Sequence, residues 1–88
     1  ISAGVTAIGE KAFYGCSSLT KVVMANTVTK IESQAFAMSF NLSTIEFDGT
    51  IAEWNTIYKS YGWNEGITTA ITVVCSDGQT TETYDSLY

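Results

Sequence analysis

The 88-residue sequence contains no His, no Pro and no Arg, and it has only two Cys. Without histidine, neither a His-based catalytic triad nor a His-ligated metal site can form, and two cysteines are too few for a disulfide-dense scaffold. Nine acidic residues against four lysines give a net charge of −5. Because isolated lysines in an acidic chain do not form a phosphate-binding surface, nucleic acid is not an expected partner.

Long apolar runs are also missing. None exceeds four residues, whereas a bilayer-spanning helix needs about 20, so we expect no membrane insertion of this segment. The N-terminus lacks the basic-then-apolar pattern of a signal peptide. The chain begins with Ile1 rather than Met, and we therefore expect it to be an excised or processed piece.

An internal repeat is the strongest feature that is present. Residues 5–27 match residues 28–50 at an offset of 23, and such fixed-offset similarity is typical of repeat architectures. The identical pairs are Val5 and Val28, Thr6 and Thr29, Ile8 and Ile31, Ala12 and Ala35, Phe13 and Phe36, Leu19 and Leu42, and Thr27 and Thr50.

The second half of each unit predicts a short strand with one buried face. In the first unit Val22 and Met24 point inward, while Lys21 and Val23 point outward. The second unit has Ile45 and Phe47 inward, and Thr44 and Glu46 outward.

The first half of each unit predicts a single helical turn. Ile8, Ala12 and Phe13 lie at a spacing that places them on one side of such a turn. One strand and one turn cannot enclose a core, so the units must stack on one another, which is how a solenoid folds.

The repeated residues resemble a known family. The pattern Val5-Thr6-x-Ile8-Gly9-Glu10-x-Ala12-Phe13, followed by Val28-Thr29-x-Ile31 and Ala35-Phe36, is similar to the BspA-type leucine-rich repeats of bacterial surface proteins. The resemblance implies an α/β repeat, namely a leucine-rich-repeat-like right-handed solenoid of short strands and short helical turns. It also implies an extracellular or cell-surface location and binding to a protein of a host or neighbouring cell.

The repeat frame divides the chain into four parts. Residues 1–4 are expected to be the remnant of an upstream repeat, since Ile1 aligns with Met24, and 5–27 and 28–50 are repeats. In 51–88 the Ala-Phe positions hold Tyr58 and Lys59, so the frame is lost and we predict a C-terminal cap. An open apolar N-terminal end favours end-to-end self-association of the chain.

The cap sequence predicts a helix and a hairpin. Thr50 and Glu53 have capping-box spacing, and apolar residues recur as far as Tyr61, with Gly62 placed to end the helix. Strands are predicted at 71–75 and 80–84, joined by an Asp-Gly turn.

The carboxylates and cysteines of the sequence do not form the pattern of a catalytic or metal-binding site. Glu46 and Asp48 are two residues apart on an outward face, where no apolar pocket would separate their pKa values. The spacing of the C-terminal acidic residues matches no calcium-binding loop. We therefore expect that the chain has no cofactor, no metal site and no enzymatic activity. Cys16 and Cys75 are predicted to be buried free thiols.

Five aromatic residues leave two interpretations open, a sugar-stacking platform or packing within the cap. They are Tyr14, Phe40, Tyr58, Tyr61 and Trp63.

These observations predict a non-catalytic interaction module that binds a protein partner on its strand face. The expected binding residues are Lys21, Val23, Thr44 and Glu46, because they are the outward residues of the two predicted strands. The alternative is a structural or carbohydrate-binding accessory segment of a larger secreted enzyme.

Overall fold

The computed structural model describes residues 4–67 and 69–83. The expected repeat remnant at 1–4 therefore lies, apart from Gly4, outside the described residues. The elements follow the chain in the order β1 (Ala7–Ile8), β2 (Lys21–Ala25), β3 (Lys30–Ile31), β4 (Thr44–Asp48), α1 (Ile51–Thr56), β5 (Tyr58–Lys59), β6 (Ile71–Cys75) and β7 (Gly78–Glu82).

The strands form two small sheets in which successive repeats lie side by side. One sheet has the order β1-β3-β5 and the other the order β2-β4-β6-β7. Every pair is parallel except the last, β6 with β7. Ala7 lies opposite Lys30, and Lys21 lies opposite Thr44, so the period of 23 seen in the sequence is confirmed as the spacing between the first two layers.

Burial alternates along the longer strands as the sequence predicts. In β2, Val22 and Met24 are buried while Lys21 and Val23 are exposed. The strand β4 follows the same pattern, with Ile45 and Phe47 buried. β-Branched and aromatic side chains fit such a half-buried pleated surface, and the two inward rows face the core.

A third layer continues both sheets, but its spacing is different. Lys30 lies opposite Tyr58, and Thr44 lies opposite Thr72, an offset of 28 instead of 23. The 23-residue frame is thus lost after residue 50, and the third layer is in register with the second at an offset of 28. The residue of the third layer that is equivalent to Ala35 is Trp63 and not Tyr58. The Phe13 amide donates to the Ala35 carbonyl of the next layer at 2.7 Å, and the Phe36 amide donates in the same way to the Trp63 carbonyl at 2.8 Å.

The extra residues of the third layer form α1. Its capping box is confirmed, since the Thr50 side chain accepts from the Glu53 amide and the Glu53 side chain accepts from the Thr50 amide. The prediction that the helix continues to Tyr61 was wrong. The Tyr58 amide instead donates to Thr29 O at 3.0 Å, because pairing with β3 satisfies backbone groups that a longer helix would withdraw from the sheet.

The predicted hairpin is confirmed, but its second strand begins at Gly78 and not at Thr80. β6 pairs with β7 from Ile71 opposite Glu82 to Cys75 opposite Gly78. The predicted end of the second strand, at Tyr84, lies outside the described residues. Asp77 in the turn also accepts the Ile51 amide at 2.9 Å, so the hairpin turn satisfies one of the amides at the helix N-terminus that have no partner within the helix.

The helical turn predicted in the first half of each unit was wrong, because Ile8 and Ile31 lie in the short strands β1 and β3. A tight turn with left-handed backbone follows, and it recurs in each layer. Lys11, Gln34 and Gly62 all have positive φ, between 58° and 77°. Four residues later Gly15, Met38 and Gly66 again have positive φ. Gly62 thus serves this turn and does not end a helix. A Cβ on Gly66 would lie 2.5 Å from Met38 Sδ, so a larger residue there would displace the Met38 side chain. Glycine also adopts the positive φ of this position with less strain than other residues.

Aromatic rings connect the layers inside the core. The rings of Phe13 and Phe36 stack with centroids 5.1 Å apart, and Phe36 meets Trp63 edge-on at 6.1 Å. Trp54 of α1 lies 5.5 Å from Phe47 and 6.4 Å from Trp63. Phe36 is completely buried, and it occupies the middle of the stack, in contact with rings from the layers on both sides.

A polar cluster lies at the C-terminal end of the core. Lys59 is in register with Ile8 and Ile31, and its Nζ donates to the carbonyls of Trp54 at 2.9 Å and Ile57 at 3.3 Å. Burial lowers the pKa of Lys59, and the Glu82 carboxylate opposes that shift. The Trp54 indole donates to Glu82 Oε2 at 2.7 Å, so this cluster connects α1, β5 and β7.

Replacing Phe36 tests the packing between layers. We expect Phe36→Ala to lower the free energy of unfolding by about 3–5 kcal/mol, because it removes a buried ring with neighbours in two layers. Phe40→Ala is the matched control: its side chain is 55% exposed, and we expect a loss below about 1 kcal/mol. Urea unfolding followed by circular dichroism measures both, and equal losses would contradict the packing described here.

Candidate functional site

The outward residues of β2, β4 and β6 form one continuous surface, which we call the strand face. It consists of two rows set by the parallel register. The rows are Lys21, Thr44 and Thr72, and Val23, Glu46 and Val74. The four residues predicted from the sequence are therefore neighbours, and the third layer adds Thr72 and Val74 to them.

The strand face carries one ion pair. Lys21 Nζ lies 2.6 Å from Glu46 Oε2, and the two side chains are 51% and 44% exposed. Exposed pairs of this kind contribute at most about 1 kcal/mol. Both groups thus remain accessible, and the pair mainly orients the two side chains next to Val23.

An apolar groove runs beside this ion pair. Val23 is 54% exposed and Val74 is half-buried, and they lie on either side of Glu46. The groove has a volume of about 380 Å³, and its lining consists of Val23, Glu46, Phe47, Asp48, Val74, Cys75 and Ser76.

The groove residues of the third layer, Val74, Cys75 and Ser76, were not predicted from the sequence. The cause was the frame of 23, which does not align residues 72–76 with the earlier strands. The alternation in Ile71-Thr72-Val73-Val74-Cys75 was a sufficient signal, because it places Thr72 and Val74 on the side opposite the buried Ile71 and Val73.

Two carboxylates line the groove, Glu46 and Asp48, and they lie two residues apart on β4. Within residues 4–67 and 69–83, no group of three or more His, Cys, Asp or Glu side chains is placed to hold a metal ion. The same part of the chain contains no helix of the length and apolar character required to cross a membrane.

The two cysteines differ in environment. Cys75 is 8% exposed and lines the groove, and burial, together with the charge of Asp77, raises the pKa of its thiol. Cys16 is half-buried, and both thiols are free. The prediction of a buried free thiol is therefore confirmed for Cys75, whereas Cys16, in the first layer, is only partly covered.

Four of the five aromatic residues considered for sugar stacking are exposed. Tyr14, Phe40, Tyr58 and Tyr61 have between 46% and 62% of their surface accessible. Trp63 is 7% exposed and packs against Phe36 and Trp54. Its ring is thus part of the core and is not available to stack on a ligand.

Layers of repeated turns and parallel strands define a repeat protein. Comparison with known families shows which repeat family the chain belongs to. The family model described as BspA type Leucine rich repeat region (6 copies) matches residues 1–61. The chain belongs to this family. No curated protein and no solved structure gives a significant match. The family match ends at residue 61, whereas the parallel ladder continues to Glu46 opposite Val74.

Thiol labelling tests the burial of the groove floor. We expect iodoacetamide to modify Cys16 at least about tenfold faster than Cys75, because Cys75 is less accessible and burial raises the pKa of its thiol. Mass spectrometry of the single variants Cys16→Ser and Cys75→Ser assigns each rate to one thiol. Equal rates in the native protein would show that Cys75 is not buried as described.

Proposed function

We propose that this chain is a non-catalytic protein-interaction module, folded as a right-handed leucine-rich-repeat-like solenoid and belonging to an exported bacterial surface protein. Membership of the BspA-type family supports a repeat module that binds proteins. The family's usual association with bacterial surfaces is the basis for the extracellular or cell-surface location.

The strand face is the surface that carries this proposal. It combines exposed apolar area, at Val23 and Val74, with an adjacent pair of opposite charges, Lys21 and Glu46. Apolar contacts supply binding energy, and charges select the partner and its orientation. Because the backbone of this face is held in three paired strands, little ordering is needed when a partner binds.

The ion pair offers a matched pair of variants for a binding test. Lys21→Ala with Glu46→Ala removes the pair on the strand face. Lys30→Ala with Glu32→Ala removes a similar exposed pair, at 3.3 Å, that lies away from it. Purified wild-type protein is applied to an array of bacterial and host cell-surface proteins, and affinities of the partners found are measured for both variants.

We expect the strand-face variant to lose at least about tenfold in affinity, equivalent to about 1.4 kcal/mol, and the Lys30/Glu32 variant to bind like the wild type. Adding Val23→Ala to the first variant should weaken binding further. Unchanged affinity of the strand-face variant, or an array with no partner at all, would contradict the proposal.

Carbohydrate binding, as part of an accessory segment of a larger secreted enzyme, is the second candidate. The observation that favours it is the exposure of Tyr58 and Tyr61, at 62% and 60%, since exposed rings can stack on sugars. A glycan array distinguishes the two candidates: sugar-selective binding that disappears in Tyr58→Ala and Tyr61→Ala would favour this function over the strand face.

A further inference from the structure

The groove on the strand face lies on the outward side of the larger sheet. Its lining comes from β2, from β4 and from the end of β6 with the residue that follows it. A further repeat layer would pair along the sheet and lengthen the strand face, and it would not cover the groove. The groove is therefore a binding surface whatever precedes or follows the described layers.

The groove has an apolar part and a charged part along β4. Val23 and Val74 lie on either side of Glu46 and supply the apolar part. Asp48 comes two residues later on the same strand, and both Asp48 and Ser76 are exposed. Because a strand rises about 3.3 Å per residue, the Asp48 side chain begins about 7 Å from the row of Glu46.

The two carboxylates of the groove differ in their partners. Glu46 is paired with Lys21 at 2.6 Å. Within residues 4–67 and 69–83, the Asp48 side chain makes no ion pair and no hydrogen bond, and no lysine is among the residues that line the groove. The Asp48 end of the groove thus has a negative charge that the described part of the chain does not compensate.

Charge complementarity points to a cationic ligand, and the chain as a whole has a net charge of −5, which attracts cationic partners. Arginine fits this groove better than lysine. Its planar guanidinium donates two parallel hydrogen bonds to one carboxylate, and it is less strongly hydrated than an ammonium group, so it tolerates apolar walls such as those of Val23 and Val74.

We propose that the groove binds an extended segment of a partner protein in which an arginine lies two residues from an aliphatic residue. The arginine pairs with Asp48, and the aliphatic side chain packs against Val23 and Val74. Two residues of extended chain span about 7 Å, which matches the distance along β4. This inference rests on the strand-face function proposed above and adds the chemistry of the partner.

The size of the groove agrees with a ligand of this kind. Its volume of about 380 Å³ is near the lower end of the roughly 300–1,000 Å³ of small-ligand sites. A few side chains of an extended segment fill such a volume, whereas a folded domain does not enter it.

Nuclear magnetic resonance titration of the full ¹⁵N-labelled chain with short synthetic peptides tests the proposal. The first peptide has Val-Ser-Arg at the centre of a Gly-Ser sequence, and we expect a dissociation constant of about 1 mM or tighter and shifts centred on Glu46, Asp48 and Val74. Citrulline in place of arginine keeps the shape and removes the charge. We expect it to raise the dissociation constant at least about tenfold.

Asp48→Asn should weaken binding of the arginine peptide at least about tenfold, because it removes the charge that the guanidinium pairs with. Glu10→Gln is the matched control: it also removes one exposed carboxylate, but Glu10 does not line the groove. This variant should bind like the wild type. Amide spectra of both variants without peptide establish that the fold is retained.

The absence of peptide binding would overturn the proposal, as would equal binding of the citrulline peptide or shifts centred outside the groove. Tighter binding of a Val-Ser-Glu peptide would overturn it in favour of an acidic partner. Groove shifts that appear on concentrating the protein alone, with no further change when peptide is added, would overturn it in favour of a second copy of the chain.

Failure of this proposal is distinguishable from failure of the strand-face function. If no peptide binds while partners from the protein array still require Lys21 and Glu46, only the arginine chemistry is wrong. If those partners bind the strand-face variant like the wild type, the function proposed for the strand face is itself wrong.

Discussion

The structure depends on the parallel backbone pairing that joins each repeat to the next. A single layer consists of two short strands and a tight turn, and it has apolar residues on a surface that it cannot cover by itself. Pairing in register brings equivalent apolar residues into contact, so that Val22, Ile45 and Val73 form one continuous row. The same constraint ends α1 at Thr56, because the residues that follow are needed to pair with β3.

The stacking of the first two layers and their longer strands could be predicted from the sequence, because identical residues at an offset of 23 report the stacking directly. The short strands β1 and β3 were missed, since two paired residues leave no alternating pattern. The third layer could not be predicted, because its key positions changed chemistry: Lys59 stands where the earlier layers have isoleucine, and the insertion that forms α1 shifts the frame. Local helical spacing then favoured a longer helix. The helix ends early because residues 58–59 pair with the distant strand β3. A local sequence pattern carries no information about such pairing.

The candidate site follows from the same pairing. Lys21, Val23, Thr44 and Glu46 could be predicted to share a surface since alternation along a strand and the repeat period determine which side each faces. The groove beside them needed the third layer, which contributes Val74 and Ser76. The last layer differs in chemistry from the first two, because the cluster of Lys59, Trp54 and Glu82 takes the place of apolar residues there.

The register of the third layer is the central claim, and nuclear Overhauser contacts between methyl groups test it most directly. Ile45 and Val73 are both completely buried and paired, so their methyl groups should show strong contacts, since paired side chains lie about 5 Å apart. Methyl contacts from Ile45 to Thr68, the residue 23 positions further along the chain, with none to Val73, would contradict the account.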